Sequence, residues 1–178
     1  MSLTAPQFRE ISFTVNGRRV TRSVDVRSSL SDLLREDLGL LSVKKGCEVG
    51  ECGACSVLID GVAIDSCIYL AVWVDGKEVR TTEGLADEDG NLSIVQQAFV
   101  EATAIQCGFC TPGLLLTATE LVESGQTYTR DELRTELAGH LCRCTGYQNI
   151  LNAVELAQAR HAEAQIGSPE FWEAVTPR

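Results

Sequence analysis

The chain has 178 residues, of which 44% are hydrophobic and 22% are charged, the composition of an ordinary soluble globular protein. A formal net charge of −10 argues against a nucleic-acid-binding surface, and no apolar run is long enough to cross a membrane. The first ten residues, "MSLTAPQFRE", have no basic region followed by an apolar stretch, as a signal peptide would. We therefore predict a cytoplasmic protein without membrane insertion.

The first part of the chain is predicted to form strands and turns with one short helix. Apolar and polar residues alternate over 11–15, and Asn16-Gly17 favours a type I′ turn into a second strand. Ser28 or Ser29 then caps a short amphipathic helix that ends at Gly39. Asp-Gly pairs predict two further hairpins, at 60–61 and 75–76. This order indicates an antiparallel or mixed sheet covered by one helix.

The second part of the chain is predicted to be helical. Four helix starts are visible: capping boxes at 93–96 and 129–132, Thr-Pro at 111–112, and the residues that follow 147. Four helices of this length joined by short loops suggest a small bundle. The predicted organisation is a first domain over 1–83, an acidic linker over 84–91, a helical domain over 92–165 and a tail over 166–178.

Eight cysteines are unusual for a cytoplasmic chain, and they fall into one set in each part. The first set is spaced C-x4-C-x2-C, with a fourth cysteine after eleven more residues: Cys47, Cys52, Cys55 and Cys67. This is the plant-type spacing for a [2Fe–2S] cluster. Glycines at 46, 50 and 53 permit the positive φ angles of a loop that wraps such a cluster.

The fourth cysteine of this set is brought to the loop by a hairpin. A two-residue turn at 60–61 places Cys55 opposite Ser66, one residue from Cys67. Zinc and disulfides are the alternatives for the set. Zinc would more naturally show two C-x2-C pairs, and a disulfide framework belongs to an oxidising compartment and usually to a smaller chain.

The second set is spaced C-x2-C, then thirty-one residues, then C-x-C: Cys107, Cys110, Cys142 and Cys144. Known zinc patterns have no C-x-C arm on this interval, and Cys142 and Cys144 cannot be bridged to each other without severe strain. Each pair precedes a predicted helix, whose free N–H groups and partial positive charge favour an anionic group. The set therefore predicts a second cluster between two helix N-termini.

Three motifs, "KKGCEVGECGACSVLIDG", "QCGFCTPG" and "LCRCTGY", resemble the iron–sulfur subunit of the molybdenum hydroxylases, the xanthine dehydrogenase and aldehyde oxidase family. The resemblance covers nearly the whole chain and implies an α+β fold: an N-terminal β-grasp, plant-ferredoxin-like domain followed by a four-helix-bundle [2Fe–2S] domain. It also implies a large subunit that binds the molybdopterin cofactor and a medium subunit that binds FAD. Electrons would pass from molybdenum through the second cluster and then the first to the flavin, and this chain would hold no catalytic residue.

The same resemblance implies that Gln106 and Cys144 contact the pterin in the partner subunit. The chain looks most like bacterial xanthine dehydrogenase small subunits, particularly through "AIDSC" and the "YLAVW" that follows, which implies xanthine or purine hydroxylation. Small subunits of aldehyde, N-heterocycle and carbon monoxide dehydrogenases share the cluster motifs and are alternatives. A free-standing two-cluster ferredoxin and a structural zinc protein are two others. His140 and His161 are interpreted as surface or packing residues.

Overall fold

The structure is a computed structural model that describes residues 7–166. Five strands form one sheet: β1 (Phe8–Val15), β2 (Arg18–Asp25), β3 (Ser56–Ile59), β4 (Val62–Asp65) and β5 (Glu78–Arg80). Their order is β2-β1-β5-β3-β4, with β5 parallel to β1 and every other neighbouring pair antiparallel. The mixed sheet and the hairpins predicted at 16–17 and 60–61 are confirmed.

The hairpin predicted at 75–76 is wrong, because the residues before the turn form no strand. Ala71–Val74 is a 3-10 helix, and its first and last residues are fully buried. A 3-10 turn places residues three apart on the same side, so this apolar run packs as a turn of helix. β5 pairs instead with β1 and β3, which lie far from it in the chain.

One short helix covers the sheet, as predicted. Helix α1 (Leu30–Asp32) continues as a π-helical turn over Leu33–Asp37. The Ser29 hydroxyl caps its start by accepting the Asp32 N–H at 3.1 Å. The leucines of this segment complete the core between helix and sheet, which includes Ile11, Phe13, Leu30, Leu33, Leu34, Val57, Ile59 and Val79.

Four helices follow the strands: α2 (Ile94–Glu101), α3 (Thr111–Glu123), α4 (Arg130–Glu136) and α5 (Gln148–Ile166). The capping boxes predicted at 93–96 and 129–132 are both present. Helix α5 packs against the other three around a second core that includes Phe99, Leu114, Leu133, Ile150, Leu151 and Val154. No helix of residues 7–166 is both long enough and apolar enough for a membrane crossing. The predicted tail lies outside the described residues, apart from Ile166 at the end of α5.

Helix α3 lies against the sheet and holds the two parts of the chain together. The Glu120 carboxylate accepts the Ala63 N–H of β4 at 3.0 Å, and Arg80 of β5 forms an ion pair with Glu123. At the other end of the helix, the Thr82 hydroxyl donates to the Pro112 carbonyl at 3.2 Å. These contacts bring the start of α3, and Cys110 just before it, towards the first cysteine loop.

Candidate metal centres

The loop of the first cysteine set, residues 44–55, folds around the sulfur of its first cysteine. The N–H groups of Val49 and Glu51 lie 3.5 and 3.4 Å from Cys47 Sγ. These two donors, together with the neighbouring Cys52 thiol, lower the pKa of Cys47 to about 7. Amide groups aimed at a sulfur in this way stabilise negative charge on it. The loop is therefore built to hold a thiolate.

The hairpin brings the fourth cysteine of this set to the loop, as predicted. β3 and β4 pair Ser56 with Asp65, so the next two residues, Cys55 and Ser66, face each other. The Ser66 hydroxyl donates to the Cys55 carbonyl at 2.7 Å, and Cys67 follows directly. Burial raises the pKa of the Cys55 thiol to about 12, with Cys67 beside it. A free thiol here would hold its proton, so a bound cation is needed to make it a thiolate.

The second set gathers at the starts of α3 and α5, again as predicted. Cys110 is buried directly before α3, and burial with the nearby Cys142 thiol raises its pKa to about 12. Cys142 Sγ lies 3.1 Å from the Thr145 hydroxyl, and its N–H donates to the Tyr147 hydroxyl at 2.8 Å. Cys107 and Cys144 are exposed and lie next to each other.

The eight thiols form neighbouring pairs: Cys47 with Cys52, Cys55 with Cys67, Cys107 with Cys144, and Cys110 with Cys142. None of the eight is in a disulfide. Zinc needs four ligands around a single point, whereas a [2Fe–2S] rhomb takes two thiolates at each iron. The donor set fits [2Fe–2S] clusters better than zinc.

The two residues linked to a pterin by resemblance lie at the surface. Gln106 and Cys144 are both exposed, and the pairing of Cys107 with Cys144 brings the two motifs that contain them together. Two large apolar side chains within these motifs are also exposed, Phe109 at 48% and Leu141 at 61%. This surface, which we call the Cys107/Cys144 face, presents thiols and apolar groups together.

The contact between the two cysteine loops is not predictable from the sequence. The Leu141 N–H donates to the Cys52 carbonyl at 3.1 Å, and His140 is buried beside Gly53. These partners are far apart in the chain, so no local pattern could reveal them. The only available signal was the position of His140, two residues before Cys142.

Comparison with known proteins agrees with these two centres. Residues 13–90 match the family described as a 2Fe-2S iron-sulfur cluster binding domain, and residues 81–155 match the family described as a [2Fe-2S] binding domain. Each match contains one complete set of four cysteines.

Individual relatives match over most of their length. The xanthine dehydrogenase iron-sulfur-binding subunit of Escherichia coli O157:H7 is 56% identical over 146 residues, which are 81% of this chain and 91% of that subunit. The nicotine 6-hydroxylase small subunit of Paenarthrobacter nicotinovorans is 51% identical, over 94% of this chain and 98% of its own. A chain in the crystal structure of quinoline 2-oxidoreductase from Pseudomonas putida 86 superposes with a TM-score of 0.83 at 41% identity, covering 88% and 98% of the two chains. The chain therefore belongs to the iron–sulfur subunits of the molybdenum hydroxylase family, which carry two [2Fe–2S] clusters and transfer electrons within an oxidoreductase complex.

Proposed function

We propose that each set of four cysteines holds one [2Fe–2S] cluster: Cys47, Cys52, Cys55 and Cys67 the first, and Cys107, Cys110, Cys142 and Cys144 the second. The observation that carries this assignment is that the fold gathers each set in one place. The first set lies on the 44–55 loop and at the end of the β3–β4 hairpin, and the second lies before the starts of α3 and α5. Each set supplies the four thiolates that two irons require. Each cluster would accept and release one electron at a time.

The residues around the thiols hold the negative charge that these ligands bring. The Val49 and Glu51 N–H groups do so at Cys47, and the Thr145 hydroxyl does so at Cys142. The first turn of α3 follows Cys110 directly, so its free N–H groups and partial positive charge lie near the second set. Such donors favour the more negative, reduced state of a cluster.

We propose that the Cys107/Cys144 face docks against the subunit that binds the molybdopterin cofactor. An exposed pair of ligating thiols leaves the second cluster close to the surface, where an electron can enter. The exposed Phe109 and Leu141 side chains would be buried by such a contact, as apolar groups at the centre of an interface are. Gln106 and Cys144 would then lie against the pterin and orient it.

Electrons leave through the first cysteine loop, where we propose that a subunit carrying FAD binds. Two large apolar residues lie on this loop or against it and are exposed, Val49 at 64% and Ile68 at 60%. We propose that the two partners bind these two loops at the same time. The chain would then connect a donor on one side with an acceptor on the other.

The finer features of the fold are part of this proposal. We assign a β-grasp, plant-ferredoxin-like domain to 1–83, a linker to 84–91, a four-helix bundle to 92–165 and a tail to 166–178. Support comes from the two cores, one within the strands and one within helices α2–α5. A cytoplasmic location stays a prediction.

We propose xanthine or a related purine as the substrate of the assembled complex. The support is the 56% identity to a xanthine dehydrogenase subunit, but a nicotine hydroxylase subunit is 51% identical. The test is to add xanthine anaerobically to the complex from its native source and to follow the visible absorbance of the clusters. Bleaching by xanthine supports the proposal. Bleaching by dithionite but not by xanthine would support the electron-transfer role and exclude xanthine as the substrate. Aldehydes and N-heterocycles would then be tested.

Two variants test the site assignments. Cys144→Ser should remove or distort the second cluster, while the spectrum of the first survives. Gln106→Ala should leave the iron content and both cluster spectra unchanged and slow only the reduction of the clusters by substrate. Loss of both clusters in either variant would contradict two independent sites.

A further inference from the structure

The two cysteine loops are packed together so closely that no methyl group fits between them. Besides the Leu141–Cys52 hydrogen bond, a Cβ atom on Gly53 would lie 2.8 Å from the Gly139 carbonyl oxygen and would overlap the His140 ring nitrogen Nδ1. A Cβ atom on Gly113, in the first turn of α3, would overlap the Gly53 carbonyl oxygen. Three segments therefore meet at Gly53.

The His140 side chain fills the centre of this junction. His140 is only 6% exposed, and its Nε2 atom lies 2.7 Å from the Thr117 hydroxyl of α3. The opposite nitrogen, Nδ1, faces Gly53 and forms no regular hydrogen bond within the described residues. One imidazole thus spans the distance from α3 to the first cysteine loop.

Hydrogen bonds to backbone groups connect His140 to the second cysteine set. The Tyr147 hydroxyl donates to the His140 carbonyl at 3.1 Å and accepts the Cys142 N–H at 2.8 Å. Cys142 is one of the proposed ligands of the second cluster, and Leu141, between it and His140, holds Cys52 of the first. A movement of His140 would shift a ligand of each cluster relative to the other.

We propose that His140 is a positioning residue that sets the distance and relative orientation of the two clusters. This inference rests on the proposed ligation of one cluster by each set of cysteines. The step that depends on it is the passage of one electron from the reduced second cluster, which is oxidised, to the first, which is reduced. No bond or proton changes place in that step. Because electron transfer weakens steeply with distance, a small separation of the loops would slow it.

The structure suggests variants that dissect the two sides of the ring. Thr117→Val removes the hydroxyl at Nε2 and keeps the shape of its side chain, and Thr117 lies seven residues from the nearest cysteine ligand, Cys110. His140→Gln keeps a polar group that can bond to Thr117, whereas His140→Leu loses the hydrogen bond to Thr117. His161→Leu is the matched control, because His161 lies far along α5 and its ring bonds to Gln165 within residues 7–166.

The decisive measurement is the electron paramagnetic resonance spectrum of the complex after full reduction by dithionite. Two nearby paramagnetic clusters split each other's signals, and the splitting reports their separation and orientation. We expect His140→Leu to retain the iron content and the g-values of each cluster, to lose much of the splitting, and to reduce the first cluster several-fold more slowly after substrate is added. Thr117→Val should show a smaller change of the same kind, while His140→Gln and His161→Leu should resemble the wild type.

Each other outcome has a defined meaning. Unchanged splitting and unchanged rate in His140→Leu, with both clusters present, would overturn the positioning role. If His140→Leu does not assemble, Thr117→Val decides by the same criterion, and a wild-type result there would also overturn it. Absence of iron or of both signals from the wild-type complex would instead refute the proposed function.

Discussion

Substitution of Gly53 by alanine tests the junction between the two loops. Gly53 has a φ of +67°, a left-handed conformation that costs a residue with a Cβ atom about 1–2 kcal/mol. The new methyl group would also meet His140 and the Gly139 carbonyl oxygen, and overpacking of this kind costs about 1–3 kcal/mol. The two terms together predict a loss of about 2–5 kcal/mol in the free energy of unfolding.

Gly61→Ala is the matched control for this substitution. Its φ is +87°, and nothing lies within 4 Å of the position that a Cβ atom would take. It should therefore carry only the conformational cost of about 1–2 kcal/mol. The difference between the two variants isolates the contact between the loops from the backbone strain.

Thermal loss of the visible cluster absorbance in the assembled complex would measure the effect. A change of 1 kcal/mol shifts the midpoint by about 2–4 °C in a chain of this length. Gly53→Ala should therefore melt below Gly61→Ala by at least that interval. Equal midpoints for the two variants would show that the loops are not packed as the structure has them, and the positioning role of His140 would lose its basis.

Two further predictions concern stability. Phe99→Ala empties a fully buried site in the helical core and should cost about 3–5 kcal/mol in urea unfolding, whereas Val100→Ala, at an exposed position, should cost less than about 0.5 kcal/mol; similar values would contradict the core assignment. Asp60 accepts hydrogen bonds from the Lys77 ammonium and the Glu78 N–H, which hold its pKa below the usual range. A lowered folded-state pKa stabilises the protein above the unfolded value of about 4, and that contribution is lost as the pH falls through the folded value. Asp60→Asn should therefore be less stable than the wild type at neutral pH, and the gap should close in acid; a gap that is constant with pH would refute the ion pair.

Local chemistry made much of this fold predictable. The turn at Asp60-Gly61 determines the register of its hairpin, and the observed pairing of Ser56 with Asp65 follows from the turn length alone. The capping boxes at Ser93 and Thr129 located two helices correctly. Each of these signals acts within a few residues of the chain.

The error arose where contacts distant in sequence decide the structure. Asp75-Gly76 looks like a hairpin turn, but Ala71 and Val74 are buried as a 3-10 turn, and β5 takes its partners from elsewhere in the sheet. At this place, packing overrides the local pattern. The helix predicted to end at Gly39 does end there, with Gly39 at a φ of +70°, although Leu33–Asp37 forms a π-helical turn.

Electron transfer depends on the distance between the two clusters, and this distance is also decided by contacts between residues far apart in the sequence. Spacing and glycines shape each cysteine loop separately, but the distance between the loops depends on contacts that cross the whole chain. Pro112 is favoured because it lies in the first turn of α3. The adjacent Gly113 is needed for a different reason, because a Cβ atom there would overlap the Gly53 carbonyl oxygen. Gly53 in turn has His140 as its neighbour. The residues that set the spacing of the clusters are therefore not themselves cluster ligands. Substitutions at Gly53, Gly113 or His140 should alter electron transfer while every cysteine is retained.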